Sequence, residues 1–449
     1  MSGFDELLGL AAETLRLWRG HLWTLSAWFC LGVAVHTAGL VASAKLGATH
    51  PVLATVVFVL GVVATLVALV LMIHTVQPSL RAPAGLDPDP AALARRRIPG
   101  GVVLREGRLE VVTAAVGPFL AVYAVWGFVD DQVTELFGTN YRLLGLDPQS
   151  FSISFAPDRL RFYLVLSVAV WVLRQALRLV PARRPLLGVR LVGVLAEAVW
   201  VFGVFALLVI LGKVVRSWLR GRVAYAALDE GWQRLLAALP SWPLPFGLTL
   251  PRALAGLVAQ VTGTVLPGAW HAVVPPLVWL ALTATVLGWR NLGSGDLLAG
   301  IPLAGRIKGR RLPGGRRTRT VAALLTGDLR TKYLPVLEAL QLVARSGPAF
   351  MSAYLLLATL ITSLQTWFDI ASSVVLGPRS AAASLATDPV LTLLSGLLVT
   401  PLSIALYAAG FDRALAAVGG IELRVRTPPR ERRRPTRAAT SPATRTPPG

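Results

Sequence analysis

Long apolar runs constrain this chain more than any other feature of its sequence. A helix of about 20 residues crosses a hydrocarbon layer of ~30 Å. Eight apolar runs come close to that length, at 22–44, 51–76, 111–129, 162–180, 191–212, 269–289, 348–367 and 389–411. The sequence therefore predicts an all-α integral membrane protein: a bundle of about eight transmembrane helices with amphipathic helices at its surfaces.

Composition supports the same class. Of the 449 residues, 54% are hydrophobic and 15% are charged, whereas about a quarter of the residues of a soluble domain are charged. This balance excludes a disordered protein, a coiled coil and an ordinary cytosolic enzyme. Cys30 is the one cysteine, so neither a disulfide nor a cysteine-based metal site can form within a single chain.

The distribution of positive charge predicts the orientation. The formal net charge is +21. With the N-terminus placed inside, the predicted inner segments carry 31 Lys and Arg residues and the outer ones 11. Because short cytoplasmic loops are enriched in Lys and Arg, we expect both termini in the cytoplasm and the spans in a bacterial cytoplasmic (plasma) membrane.

Spans and charges together give a predicted organisation. Its first part comprises a cytoplasmic juxtamembrane helix (1–21), a transmembrane hairpin of spans one and two (22–76), a basic cytoplasmic loop (77–110) and spans three to five (111–212). Its second part comprises an extracytoplasmic interfacial or re-entrant segment (213–268), span six (269–289), a basic cytoplasmic loop with an amphipathic helix (290–346), a hairpin of spans seven and eight (347–411) and a disordered basic cytoplasmic tail (412–449).

Two opposite charges fall within the predicted fourth and fifth spans. Arg174 and Glu197 lie at nearly equal distances from the turn near Pro185, so an antiparallel hairpin places them at one depth. An unpaired charge at that depth is costly, and we expect the two to meet as an ion pair. The pair either fixes the register of the hairpin or acts as a gate or proton-coupling carboxylate. We favour the structural role, because the sequence places no second acidic residue at membrane depth.

Histidine and acidic residues offer weaker site hypotheses. His36 and His74 are predicted about 15–20 Å apart along the membrane normal, too far to share a metal, so we expect packing roles for both. An outer acidic group could hold a divalent ion or an extracytoplasmic active site, although solvated loop residues explain it more simply. Its members are Asp130, Asp131, Glu135, Asp147 and Asp158, with His50 and His271. We predict no metal site, no cofactor and no catalytic residues.

Two basic runs lie on the predicted cytoplasmic side, at 305–319 and 424–437. They lack the interleaved aromatic residues on which nucleic-acid bases stack, so we expect no nucleic-acid partner. Attraction to anionic phospholipid headgroups explains them better. The predicted lipid contacts are Arg310, Arg311, Arg316 and Arg317.

Enzyme motifs are absent from the sequence. There is no Walker lysine motif, no G-x-S-x-G and no H-E-x-x-H, each of which marks a known catalytic arrangement. We therefore expect a non-catalytic membrane component, a scaffold or partner subunit for a membrane protein. The alternatives are a secondary transporter or channel with a polar site near spans four and five and, third, a membrane enzyme that uses lipid-linked substrates.

Two short patterns resemble one another. Each predicted hairpin has a surface helix before it, and a Pro-Val-Leu triplet stands near its second span, at 51–53 and at 389–391. With this echo and the stretch GDLRTKYLP at 327–335, the chain resembles a group of uncharacterised actinobacterial multi-pass integral membrane proteins. The resemblance implies eight spans and cytoplasmic termini, and it implies no activity.

Overall fold

The computed structural model describes residues 3–80, 128–145, 153–178, 187–243, 248–287 and 346–426. These residues are almost entirely helical and form no extended strand. The α-helices are α1 (Gly3–Leu46), α2 (Pro51–Val76), α3 (Phe128–Leu144), α4 (Leu160–Arg178), α5 (Leu187–Arg220), α6 (Val223–Ala238), α7 (Leu250–Gln260), α8 (Leu266–Val286), α9 (Pro348–Leu376) and α10 (Ala381–Arg426).

Seven helical stretches within the described ranges are long and apolar enough to cross a membrane. They are Gly3–Leu46, Pro51–Ser79, Pro157–Leu177, Val192–Arg220, Leu250–Ala284, Pro348–Leu376 and Ala381–Ala416. The all-α class is confirmed for these ranges, and the apolar helices fit a membrane protein. The predicted third span, 111–129, lies outside the described residues except for its last two positions, so a count of eight is not confirmed.

The α1–α2 hairpin forms the centre of the bundle. Its two helices pack closely because small residues face each other: a Cβ added at Gly32 would lie 2.6 Å from Ala68 Cβ, and one added at Gly39 would lie 3.1 Å from Gly61 Cα. Ser43 Oγ also donates a hydrogen bond of 2.9 Å to the Ala54 carbonyl. Small residues of this kind allow close packing of helices in lipid, where the hydrophobic effect does not drive association.

A second hairpin, α9–α10, packs against α1, and α8 packs against α9, α10 and α2. The Tyr354 hydroxyl on α9 donates a 2.6 Å hydrogen bond to the Pro276 carbonyl on α8, and the Trp279 and Tyr407 rings are stacked at 6.0 Å. At the end of the bundle where α1 begins, Arg413 Nη1 donates to the Glu6 carbonyl at 2.8 Å. These contacts fix α8, α9 and α10 on one side of the central hairpin.

The remaining helices lie on other sides of the central hairpin. α5 packs on α2, α4 packs on α5, and α3 packs on α1. The Phe58 ring on α2 contacts the Phe202 ring on α5 edge to face, with centroids 5.5 Å apart. A Cβ at Gly203 would lie 2.5 Å from Ser167 Oγ, so this glycine permits the close approach of α4 to α5.

Helix boundaries differ from the predicted ones in at least four places. Residues 412–426, predicted as the start of a disordered tail, continue α10 as a helix. The predicted surface helix 1–21 and the first span form one uninterrupted helix of 44 residues, about 66 Å long at 1.5 Å per residue. Residues 130–144, predicted as part of an outer loop, belong to α3 and pack beside α1. The predicted interfacial segment 213–268 is not one unit, because its first residues extend α5 and its last ones continue through a π turn, Val261–Val265, into α8.

The two Pro-Val-Leu triplets, which resemble one another in sequence, do not occupy equivalent positions in their helices. Pro51 begins α2, whereas Pro389 lies inside α10, eight residues after Ala381. The hairpins are neighbours, but the matching residues occupy different positions in their helices. The surface helix predicted before the second hairpin lies outside the described residues.

Candidate functional site: two ionisable pairs at one height

The structure brings Arg174 on α4 and Glu197 on α5 together. Arg174 Nη2 lies 3.7 Å from Glu197 Oε1, and 10% and 25% of the two side chains are exposed. The Arg174 guanidinium also lies 5.3 Å from the centre of the Trp200 ring. An aromatic face attracts a cation at this distance, so Trp200 and Glu197 together compensate the buried charge.

A second pair joins α1 to α3. His36 Nε2 lies 3.3 Å from Glu135 Oε2, within hydrogen-bonding distance of a carboxylate acceptor. The His36 side chain is 8% exposed and the Glu135 side chain is 52% exposed. His36 Nδ1 is buried next to Gly61 and has no hydrogen-bond partner among the described residues. The imidazole is therefore bonded on one side only.

The two pairs occupy one height in the bundle. His36 contacts Gly61, which follows Phe58 by three positions in α2. Glu197 precedes Phe202 by five positions in α5, which the predicted alternation of spans makes antiparallel to α2. Since the Phe58 and Phe202 rings touch, Gly61 and Glu197 are displaced in the same direction by about 4.5 and 7.5 Å at 1.5 Å per residue. His36–Glu135 and Arg174–Glu197 therefore lie within about one helical turn of height of each other.

The position of Glu135 corrects one premise of the sequence analysis. A second acidic residue does lie against the bundle, because α3, which is described from Phe128 onward, places Glu135 beside α1. One sequence signal could have revealed the helix α3, although not the contact of Glu135. Gln132, Val133, Leu136 and Asn140 repeat at intervals of three and four residues, as on one face of a helix, and all four are buried or half-buried.

The other predicted site residues do not assemble into a site within the described ranges. His74 lies thirteen residues beyond Gly61 in α2, about 20 Å along the helix from the height of His36. Asp158 pairs with the adjacent Arg159 at 3.6 Å, and His50 precedes α2. No group of three potential metal-ligating side chains occurs in the part of the chain that the structure describes.

Several predicted residues lie outside the described part of the molecule. Asp147 is in an undescribed range, and the side chains of Asp130 and His271 are not described although their backbones are helical. The predicted lipid contacts Arg310, Arg311, Arg316 and Arg317, and the stretch 327–335, also fall outside the described residues. The hypotheses that rest on them remain predictions.

Comparisons with protein-family models, with curated proteins and with solved structures find no match to this chain.

Proposed function

We propose that this protein is a non-catalytic scaffold or partner subunit of a bacterial cytoplasmic membrane, with both termini in the cytoplasm. The orientation rests on the concentration of Lys and Arg in the segments that share a side with the N-terminus. The same proposal assigns the basic runs to anionic lipid headgroups and places the chain with the actinobacterial membrane proteins that it resembles.

One observation carries the scaffold proposal: a helical arm whose apolar side chains are exposed. The arm comprises residues 211–243 and 248–270, that is, the end of α5, then α6, α7, the π turn and the start of α8. Among the described side chains of α6, Leu236 alone is buried. Large exposed apolar surfaces are typical of sites that bind protein partners or lipid.

The helix α6 has two distinct faces. Tyr225, Leu228 and Leu235 lie on one side of a 3.6-residue helix and are 50%, 74% and 53% exposed. The opposite side carries Glu230 and Arg234, which form an exposed ion pair of 2.7 Å. An apolar face of this kind binds a groove or helix of another protein through residues spaced by three and four positions, and we infer that a membrane-protein partner occupies it.

Site-specific photocrosslinking in native membranes tests this proposal. Benzoylphenylalanine in place of Leu228 is expected to give one protein adduct of defined mass. The partner protein in that adduct should also copurify in stoichiometric amount with the native chain when no crosslink is made. The matched control is the same residue at Glu230, on the opposite face of the same helix. Lipid adducts alone at Leu228, or equal protein adducts at both positions, would overturn the partner-subunit proposal.

A second candidate function is secondary transport or conduction. The observation that favours it is the common height of His36–Glu135 and Arg174–Glu197, because ionisable groups inside a membrane bundle commonly belong to ion or proton pathways. In this interpretation Glu197 and Glu135 would change protonation or partners during a transport cycle.

Proton flux in proteoliposomes tests the second candidate. Purified protein is reconstituted with a pH-sensitive dye inside the vesicles, and a potassium diffusion potential is applied. Transport predicts a flux that Glu197→Gln abolishes while the protein remains folded by circular dichroism. Loss of thermal stability in Glu197→Gln without any flux in the native protein would leave the pair a structural role only.

A further inference from the structure

A cavity of about 470 Å³ lies among α1, α2, α3, α8, α9 and α10. Its walls come from Phe29 and Gly32 on α1, Thr65 and Met72 on α2, and residues 399–407 on α10. Such a volume is within the range of small-molecule sites, which hold about 300–1,000 Å³. The cavity is separate from the arm and lies on the α8–α10 side of the central hairpin.

The lining combines apolar surface with uncharged polar groups. None of the described lining residues is charged. The rings of Trp279 and Tyr407 form one wall, stacked in nearly parallel planes that differ by 5°. A charged ligand would lose its hydration here without gaining an opposite charge, so the cavity fits an uncharged amphiphile.

Three of the polar groups in the lining favour a hydrogen-bond donor on the ligand. Gln132 Oε1 is buried and has no hydrogen-bond partner among the described residues. The hydroxyls of Thr65 and Ser403 already donate to the Gly61 and Val399 carbonyls, at 3.4 and 2.8 Å, and the Ser403 hydroxyl also has a hydrogen bond with Tyr407. Toward a ligand, both oxygens therefore act as acceptors. A ligand hydroxyl both donates and accepts, and it therefore satisfies the Gln132 amide in either orientation of that amide.

We propose that this cavity binds an uncharged lipid with a free hydroxyl group, such as a diacylglycerol or a prenyl alcohol. The hydroxyl bonds to Gln132 and Ser403, and the apolar part packs against Phe29, Met72 and the Trp279–Tyr407 wall. This binding site is independent of the partner proposed for the arm.

Competitive photolabelling of the full-length protein tests the site. The protein is reconstituted in phosphatidylcholine vesicles with a diacylglycerol whose acyl chain carries a diazirine, and labelled peptides are identified by mass spectrometry. We expect label on the α1, α2 and α10 segments that line the cavity, and dioleoylglycerol to compete at least tenfold more strongly than its methyl ether or phosphatidylglycerol. Geranylgeraniol is tested as a competitor in parallel. Stronger competition by geranylgeraniol than by dioleoylglycerol would identify a prenyl alcohol as the ligand, and the reverse would identify a diacylglycerol.

Two variants refine the test. Gln132→Leu is expected to lower the affinity for dioleoylglycerol about tenfold, to that of the methyl ether, since one hydrogen bond is lost. Gln260→Leu, at an exposed position of α7, is the matched control and should bind as the native protein does. Thr400→Phe fills the cavity and should abolish labelling there.

If a variant fails to fold, labelling and competition with the native protein still test the proposed site. Equal competition by the methyl ether, or label confined to the exposed faces of α4 and α9, would overturn the proposal. Failure of the α6 crosslinking experiment would leave this result unaffected, so the two proposals can be rejected separately.

Discussion

His36 and Glu135 are ninety-nine positions apart in the sequence, yet their side chains meet at 3.3 Å and tie α3 to the central hairpin. The contact matters because it links a fixed position of α3 to a fixed position of α1. It also places a carboxylate beside the helix that carries the small residues of the α1–α2 interface.

The His36–Glu135 contact predicts a measurable coupling. In a double-mutant cycle with His36→Phe and Glu135→Ala, we expect a coupling free energy of about 0.6 kcal/mol, the average for hydrogen bonds between helices in a membrane protein. Unfolding in mixed detergent micelles measures it. The control cycle pairs Glu135→Ala with His74→Phe, which lies at a different height, and should show no coupling.

Glu197→Gln should destabilise the protein because it leaves the Arg174 charge buried without its carboxylate. We expect a loss of about 3 kcal/mol of unfolding free energy, the lower end of the cost of breaking a buried pair. Replacing both residues by leucine should recover most of that loss, since two apolar side chains remove the uncompensated charge. The control is Glu230→Gln in an exposed pair, expected to cost less than about 0.5 kcal/mol.

The α1–α2 interface should not tolerate one added methyl group. Gly32→Ala places a Cβ against Ala68, and we expect a loss of about 1–3 kcal/mol from overpacking. Gly32→Ala combined with Ala68→Gly exchanges the two side chains across the contact and should restore stability. Gly20→Ala is the matched control, because no atom lies within 4 Å of its added Cβ; equal losses at both glycines would contradict this account.

Arg413 should matter more than its acidic partner. It bonds to the Glu6 backbone carbonyl as well as facing the Glu6 carboxylate at 3.4 Å. Glu6→Gln therefore keeps one contact, whereas Arg413→Ala removes both. We expect hydrogen exchange in residues 3–12 to increase at least severalfold in Arg413→Ala and little in Glu6→Gln, and the reverse order would show that the carboxylate dominates.

The proposed orientation can be checked by labelling intact cells with a membrane-impermeant maleimide. In a Cys30→Ser background, Ala48→Cys, at an exposed position in the turn between α1 and α2, should react. Gly3→Cys at the start of α1 should react only after the membrane is permeabilised. Labelling of Gly3→Cys in intact cells would place the N-terminus outside and would reject the topology derived from Lys and Arg.

Local features of the sequence were sufficient to predict the all-α membrane class and the contact between Arg174 and Glu197. Apolar runs of the length that crosses a membrane predicted helices throughout, and each of the seven candidate spans contains or overlaps such a run. The Arg174–Glu197 contact also followed from local information, because equal spacing from a turn fixes which residues of an antiparallel pair face each other at one depth. The structure places these two side chains 3.7 Å apart.

Local sequence features did not predict the full extent of the helices or the contacts between distant segments. The sequence did not predict that α1 runs unbroken from Gly3 to Leu46, because Arg16 and Arg19 marked a boundary by charge although they do not interrupt the helix. The predicted interfacial segment 213–268 likewise shares residues with α5 and α8, since helices continue past the point at which their composition changes.

Hydropathy thus determined which segments leave water, because the free energy of that transfer is summed residue by residue along the chain. It left open which helices touch one another, since two apolar helices are equally soluble in lipid wherever they are placed. Shape and pairing made that choice: Gly39 and Gly61 admit a close crossing, and His36 meets Glu135 only because α3 packs beside α1.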